Sequence, residues 1–234
     1  IQLGDIGDVV WTTPSIRAVK NSIPNSRVSL LVKEGFGSLL EADPSVDRVF
    51  EVKQYRGNLF HRVVGQLSFL KSIRSQHFDL AVDLRLGDRG AFMVFATGAP
   101  LRVTMHHHGG VPFWRNYLFT HAVVPGASVK NCFVVSEATT DRRVAAEQSL
   151  CILRVLGIDT DDTIPRLWIS DDIKKRVQDI LAREKVEDIS RWITINPFSR
   201  WSYKEWAADK WIEIINWLWK DFSMPVIVVG SAEE

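Results

Sequence analysis

Apolar-rich runs alternate with helix-period segments along the first half of the chain. Runs at 28–32, 46–52, 78–84 and 101–105 are short, as expected of strands buried in a parallel sheet. Between them the spacing predicts helices over 9–21, 59–74 and 91–97, and a helical turn over 36–40. Within 59–74, Val63, Leu67 and Leu70 fall on one side. Pro14 either kinks the first helix or makes it begin near Thr13. Pro24-Asn25-Ser26 reads as a turn, and Pro44 punctuates the approach to the second run. The βαβα rhythm implies a parallel sheet with helices on both faces.

Residues 106–137 carry loop signals at Gly109-Gly110 and Pro125-Gly126 and no assignable element. A helix over 141–156 follows, stopped by Gly157. The Asp-rich stretch 158–165 reads as a linker. The rhythm then restarts: a helix at 171–184, a strand at 192–195, a helix at 207–220 and a strand at 226–229. Seven of the nine tryptophans lie between Trp168 and Trp219, a change of texture that fits a second unit. A sheet of two strands is marginal alone. The expected architecture is therefore α/β, with one Rossmann-like domain over 1–157, a linker over 158–170 and a partial second domain over 171–234.

Composition narrows the class. With 46% apolar and 24% charged residues, the chain can bury an ordinary core and does not read as disordered. A net charge of +1 gives no general argument for nucleic acid. Cys132 and Cys151 have no metal or redox spacing and read as buried thiols. No apolar run approaches the roughly 20 residues of a membrane span. The chain opens without Met and with almost no first strand, so it reads as a piece of a longer protein.

Two loops carry candidate chemistry. In Gly4-Asp5-Ile6-Gly7-Asp8, Gly4 and Gly7 permit a tight turn and close backbone approach to a ligand. Asp8 then sits at a helix N-terminus, which favours the anion. It is either a cap or a base aimed into a cleft. The pattern is not the dinucleotide fingerprint G-x-G-x-x-G, which argues against a nicotinamide oxidoreductase. The second loop, Asn196-Pro197-Phe198-Ser199-Arg200-Trp201-Ser202-Tyr203-Lys204-Glu205-Trp206, follows a strand and precedes a helix. Ser199, Arg200 and Lys204 suit a diphosphate, through hydroxyl and backbone donors beside positive charge. The equal alternative is a solvated loop with Trp201 and Trp206 in the core. If the two domains face each other, Asp8 and Lys204 sit across one cleft. From Lys53 to Arg89 there are seven Lys/Arg against three Asp/Glu, suited to an anionic acceptor or to ordinary solvated helix faces. Adjacent His106, His107 and His108 point different ways on a strand end, so no metal site is expected there.

Taken together, these pieces resemble glycosyltransferase family 9, the ADP-heptose:lipopolysaccharide heptosyltransferases. The resemblance rests on Gly4-x-x-Gly7-Asp8 with Thr13-Pro14-Ser15-Ile16-Arg17-Ala18-Val19-Lys20, on Phe78-Asp79-Leu80-Ala81-Val82-Asp83-Leu84-Arg85, and on Asn196-Pro197 through Lys204-Glu205-Trp206 with Trp211. It implies the GT-B fold and inverting transfer of heptose from ADP-heptose to the lipopolysaccharide inner core, a Kdo-lipid A acceptor. It implies Asp8 as general base, and Lys204 and Ser199 at the donor diphosphate. Arg200 stands where family members often have a second hydroxyl. Arg85-Leu86 replaces a Gln-Gly pair and Arg89 holds the basic position that follows, which makes Arg85 and Arg89 the acceptor-side candidates. No cofactor or metal is implied, the ADP-sugar being a substrate. The implied place is cytoplasmic, peripheral at the inner face of a Gram-negative inner membrane, with an anionic glycolipid as partner. The family's Asp-Ser/Thr-Gly-x-x-His segment is absent from these 234 residues. Much of the donor site is therefore expected to be missing, and this segment is not expected to be active alone. Two alternatives stay open: a family member using another nucleotide sugar or acceptor, and a truncated non-catalytic GT-B remnant that binds glycolipid.

Overall fold

The computed structural model describes residues 1–53, 58–85, 87–105, 113–123, 144–184, 191–199 and 202–230. They fall into two compact units, Ile1–Ser170 and Asp171–Glu234.

In the first unit, strands β1 (Ser29–Lys33) and β2 (Arg48–Val52) pair in parallel, with Leu31 opposite Phe50. Strands β3 (Leu80–Asp83), β4 (Leu101–Met105) and β5 (His121–Val123) form a second parallel group in that order. The extended residues 1–3 join the two. The Gln2 N–H donates to the Leu31 carbonyl at 2.9 Å, and the Leu84 N–H donates to the Ile1 carbonyl at 3.1 Å. Residues 1–3 thus hold the place of a central strand, giving the order β2-β1-(1–3)-β3-β4-β5. Strand order reverses at residues 1–3, and ligands of such sheets bind beyond the carboxyl ends at that point.

The helix expected over 9–21 is two helices, α1 (Ile6–Trp11) and α2 (Thr13–Ser22). Pro14 has no N–H to offer and sits in the first turn of α2, where none is needed. The carbonyls left over at the break are taken by hydroxyls: Thr12 Oγ1 donates to Asp8 O at 2.8 Å and Thr13 Oγ1 to Val10 O at 2.9 Å. Helix α3 (Leu59–Arg74) has the expected bounds, capped where Asn58 Oδ1 accepts the His61 N–H at 3.0 Å. Helix α4 (Asp88–Thr97) begins three residues earlier than its apolar run and ends at Gly98, whose φ of 70° suits glycine. Strand β5 lies in the stretch that the sequence left unassigned. Helix α5 (Val144–Arg154) packs Leu150 and Leu153 against Ala18 of α2 and against Ile158.

The segment 158–170, expected as a linker, runs along α2. Arg17 Nη2 donates to Ile164 O at 2.6 Å and pairs with Asp162 at 3.2 Å. The Arg166 N–H donates to Thr13 Oγ1 at 3.1 Å.

The second unit holds α6 (Asp171–Arg183), β6 (Ile193–Ile195), α7 (Ala208–Phe222) and β7 (Val226–Val228). The two strands are parallel, Ile193 opposite Val226. Among the described residues of this unit, only Ile195 and Leu218 are buried apolar side chains, whereas Trp206, Trp217 and Trp219 are at least half exposed. The reading of Trp206 as core is therefore corrected. It meets Trp211 edge-on at 5.3 Å, and a two-stranded sheet has too little surface to cover it. Trp201 lies outside the described residues.

Candidate active site

At the switch point, residues 1–3 run out into Gly4, and Asp5 becomes the N-cap of α1. The Asp5 N–H donates to Asp8 Oδ2 at 2.9 Å, the reciprocal half of a capping box. The same oxygen pairs with the Arg85 guanidinium, carried just past the end of β3. Asp8 is thus a cap, yet 45% of its side chain and 46% of that of Arg85 remain exposed. The cap and the base are not exclusive roles here, since one side of the carboxylate faces solvent.

This pair borders a cavity of about 290 Å³ at the carboxyl ends of the strands. Gln2, Trp11, Asp83, Met105 and Gln148 also line it, so α1, β3, β4 and α5 all contribute. Arg89 does not: it is exposed in the first turn of α4. The structure thus brings Arg85 to Asp8 and leaves Arg89 aside.

Gly4 has a steric reason. A Cβ there would run into the Asp8 carboxylate and the Arg85 guanidinium. Around Gly7, in the first turn of α1, a Cβ would meet nothing within 4 Å. Neither glycine has a positive φ, so of the two expected to permit the tight turn, only Gly4 is required by close packing. Gly4→Ala should cost about 1–3 kcal/mol by overpacking, while Gly7→Ala should be neutral or gain up to about 1 kcal/mol from helix propensity. Urea unfolding of both variants checks this, and equal midpoints would contradict it.

Beneath the cavity lies a polar layer that sequence reasoning missed. Buried Gln2 accepts the Gly4 N–H through Oε1 at 3.0 Å and donates through Nε2 to Thr12 Oγ1 at 3.1 Å, fixing the loop that carries Asp8. Asp83 and Arg115 form an ion pair at 2.9 Å with both side chains fully buried. Arg115 Nη2 also donates to Thr104 Oγ1 at 3.3 Å, and its guanidinium lies 5.1 Å from the Phe119 ring centre. Among the described residues its Nε and Nη1 have no hydrogen-bond partner. Burial pushes the Asp83 carboxyl up to about 6, while the Arg85 N–H and the Arg115 guanidinium pull the other way. Asp83 Oδ1 accepts that N–H at 3.2 Å, so the buried pair anchors the turn that presents Arg85 to Asp8. A polar residue closing an apolar strand was the available signal for Asp83. Arg115 had none.

In the second unit, the candidate diphosphate loop lies at the carboxyl end of β6. The Phe198 N–H donates to Asn196 Oδ1 at 3.1 Å, and the Ser199 N–H donates to Glu205 Oε1 at 2.9 Å. Lys204 is exposed in a tight helical turn, Ser202–Lys204, with its ammonium 5.7 Å from the Tyr203 ring centre. Arg200 lies outside the described residues, as do Cys132 and the three histidines His106, His107 and His108. Cys151 is a buried thiol. Among the described residues no group of three His, Cys, Asp or Glu could hold a metal ion.

A parallel sheet with a polar crevice at its switch point, followed by a second β-loop-α unit, defines an α/β protein of the doubly wound class. The model of glycosyltransferase family 9 (heptosyltransferase) matches residues 66–234, and the chain belongs to that family. It is 23% identical over 229 residues to lipopolysaccharide heptosyltransferase 3 of Escherichia coli K12, covering 97% of this chain and 61% of that protein. The crystal structure of a family 9 glycosyl transferase from Veillonella parvula DSM 2008 superposes with a TM-score of 0.75 at 19% identity. It covers 99% of this chain and 61% of the other. E. coli heptosyltransferase WaaC with ADP-2-deoxy-2-fluoro heptose gives 0.69 at 15% identity, covering 99% and 68%. The fold is GT-B, two Rossmann-like parallel-sheet units of which the second is incomplete.

Proposed function

We propose that this chain carries the acceptor side and the diphosphate loop of an inverting transferase that moves heptose from ADP-heptose to the lipopolysaccharide inner core. The observation that carries the reading is Asp8, a half-exposed carboxylate at the mouth of the switch-point cavity. The names of the relatives support the sugar and the acceptor class.

The step is a single displacement. Asp8 takes the proton of an acceptor hydroxyl as its oxygen bonds to the anomeric carbon. The bond from that carbon to the diphosphate oxygen breaks on the opposite face, and its electron pair leaves with ADP. Lys204, Ser199 and the loop N–H groups stabilise the departing charge. Arg85 must turn away from Asp8 to let the acceptor in, and its guanidinium suits an anionic acceptor group. The Ser199 N–H donates to Glu205, which supports a fixed place for Ser199 in this loop. Arg200 and Arg89 remain candidates for the donor and the acceptor respectively. The working place we assign is the inner face of a Gram-negative inner membrane; among the described residues no helix is long and apolar enough to cross one.

The test is incubation of a protein of the relatives' full length with ADP-heptose and Kdo-lipid A. ADP release and a glycolipid heavier by one heptose are expected. Product from another nucleotide sugar alone would overturn the donor assignment. Calorimetry with ADP on this chain separates a working donor loop from a binding-dead remnant: a Kd below about 1 mM is expected, and no heat would argue for the remnant.

A further inference from the structure

Helix α3 is buried at one end and bare at the other. Its last turns place Phe69, Leu70 and Ile73 against the core formed by Leu3, Leu31 and Val52. Its first turns leave Leu59 and Phe60 each 73% exposed, Leu67 60%, and Val63 and Val64 almost half exposed. Apolar patches of this kind mark interaction surfaces. At 100° per residue these five positions fall in one arc of about 140°. Lys71 and Arg74 fall in the same arc, one to two turns further on, and both are exposed. The helix also carries Arg62 and no Asp or Glu.

Topology says where this stripe lies. A helix that follows a strand in a parallel α/β unit starts at the carboxyl edge of the sheet. α3 follows β2, so its bare end stands at the edge where Asp8 and Arg85 line the cavity.

We infer that α3 is a membrane-docking element, whose apolar tip enters the interface of an anionic lipid bilayer while Lys71 and Arg74 sit at headgroup level. The charge decides the occupant. A stripe that is apolar and then basic, on a helix without acid, matches anionic headgroups over a buried apolar layer. A second copy of this helix offers no carboxylate to meet those cations. Docking there would bring the cavity mouth to the bilayer surface, where a lipid-anchored acceptor is held. The inference deepens the glycolipid-acceptor reading, but its test needs neither donor nor transfer, so the two can fail separately.

The test is cosedimentation of this chain with vesicles of phosphatidylcholine alone or with about one third phosphatidylglycerol. Binding to the anionic vesicles is expected, at least about tenfold stronger than to the neutral ones and weakened by salt. Phe60→Ser with Leu67→Ser should lower the partition coefficient at least about tenfold, with unchanged far-ultraviolet dichroism because both side chains are exposed. Lys71→Glu, a single surface change, should weaken binding to anionic vesicles and leave neutral ones unaffected. Absence of binding, or equal binding by the variants, overturns the inference. So does a dimer, seen by analytical ultracentrifugation, that the double variant dissolves.

Discussion

Arg115→Met is expected to lower the unfolding free energy of the first unit by about 3–5 kcal/mol, the cost of leaving a buried charge without its partner. The charge stranded is Asp83, whose side chain is fully covered. Gly90 packs closely on it, at a place where an added Cβ would lie 2.5 Å from Asp83 Oδ1. Asp83→Leu should cost a similar amount by stranding Arg115, two of whose nitrogens have no partner among the described residues. The double variant should recover part of the loss, because apolar pairs of similar volume often replace buried ion pairs at little cost. Urea unfolding reads all three. The single variants should lose at least about 1 M in midpoint, and losses as small as those of surface pairs would contradict the account.

On the proposed mechanism, Asp8→Asn is expected to lower the rate of transfer by about 100- to 10,000-fold, the usual contribution of a positioned general base. The change is nearly isosteric. The amide oxygen can still accept the Asp5 N–H, so the start of α1 survives. The lost pair with Arg85 is half exposed, and exposed pairs are worth about 0–1 kcal/mol. Stability should therefore change little while kcat collapses. Arg85→Ala separates the two roles of the pair. It leaves the base in place and should raise KM for an anionic acceptor more than it lowers kcat. Steady-state kinetics of both variants in a protein of the relatives' full length makes the comparison.

Much of the scaffold was legible. β4 and α3 have the bounds their patterns imply, because an apolar run and a helical period are local signals. β5 was not, being only His121–Val123 and starting on an exposed histidine. It is a strand because β4 offers it a ladder, which no local pattern records. The start of α1 at Ile6 rather than Val9 follows from the Asp5–Asp8 capping box, whose halves are both visible in sequence but whose closure needs the fold. Asp8 was legible from its turn. That Arg85 meets it, across 77 residues, was not, nor was the Asp83–Arg115 pair across 32. Such contacts are set by the sheet order, and that order depends on residues 1–3 standing between β1 and β3. The same order explains why Arg85, at a strand end, lines the cavity while Arg89, four residues on and one helical turn away, does not.

The most direct measurement is single-turnover transfer from ADP-heptose to Kdo-lipid A by Asp8→Asn in a protein of the relatives' full length, with ADP affinity determined on the same preparation. The account predicts ADP binding as in the unaltered protein and a transfer rate at least about 100-fold lower. Transfer at the unaltered rate by a protein that binds ADP normally would contradict it.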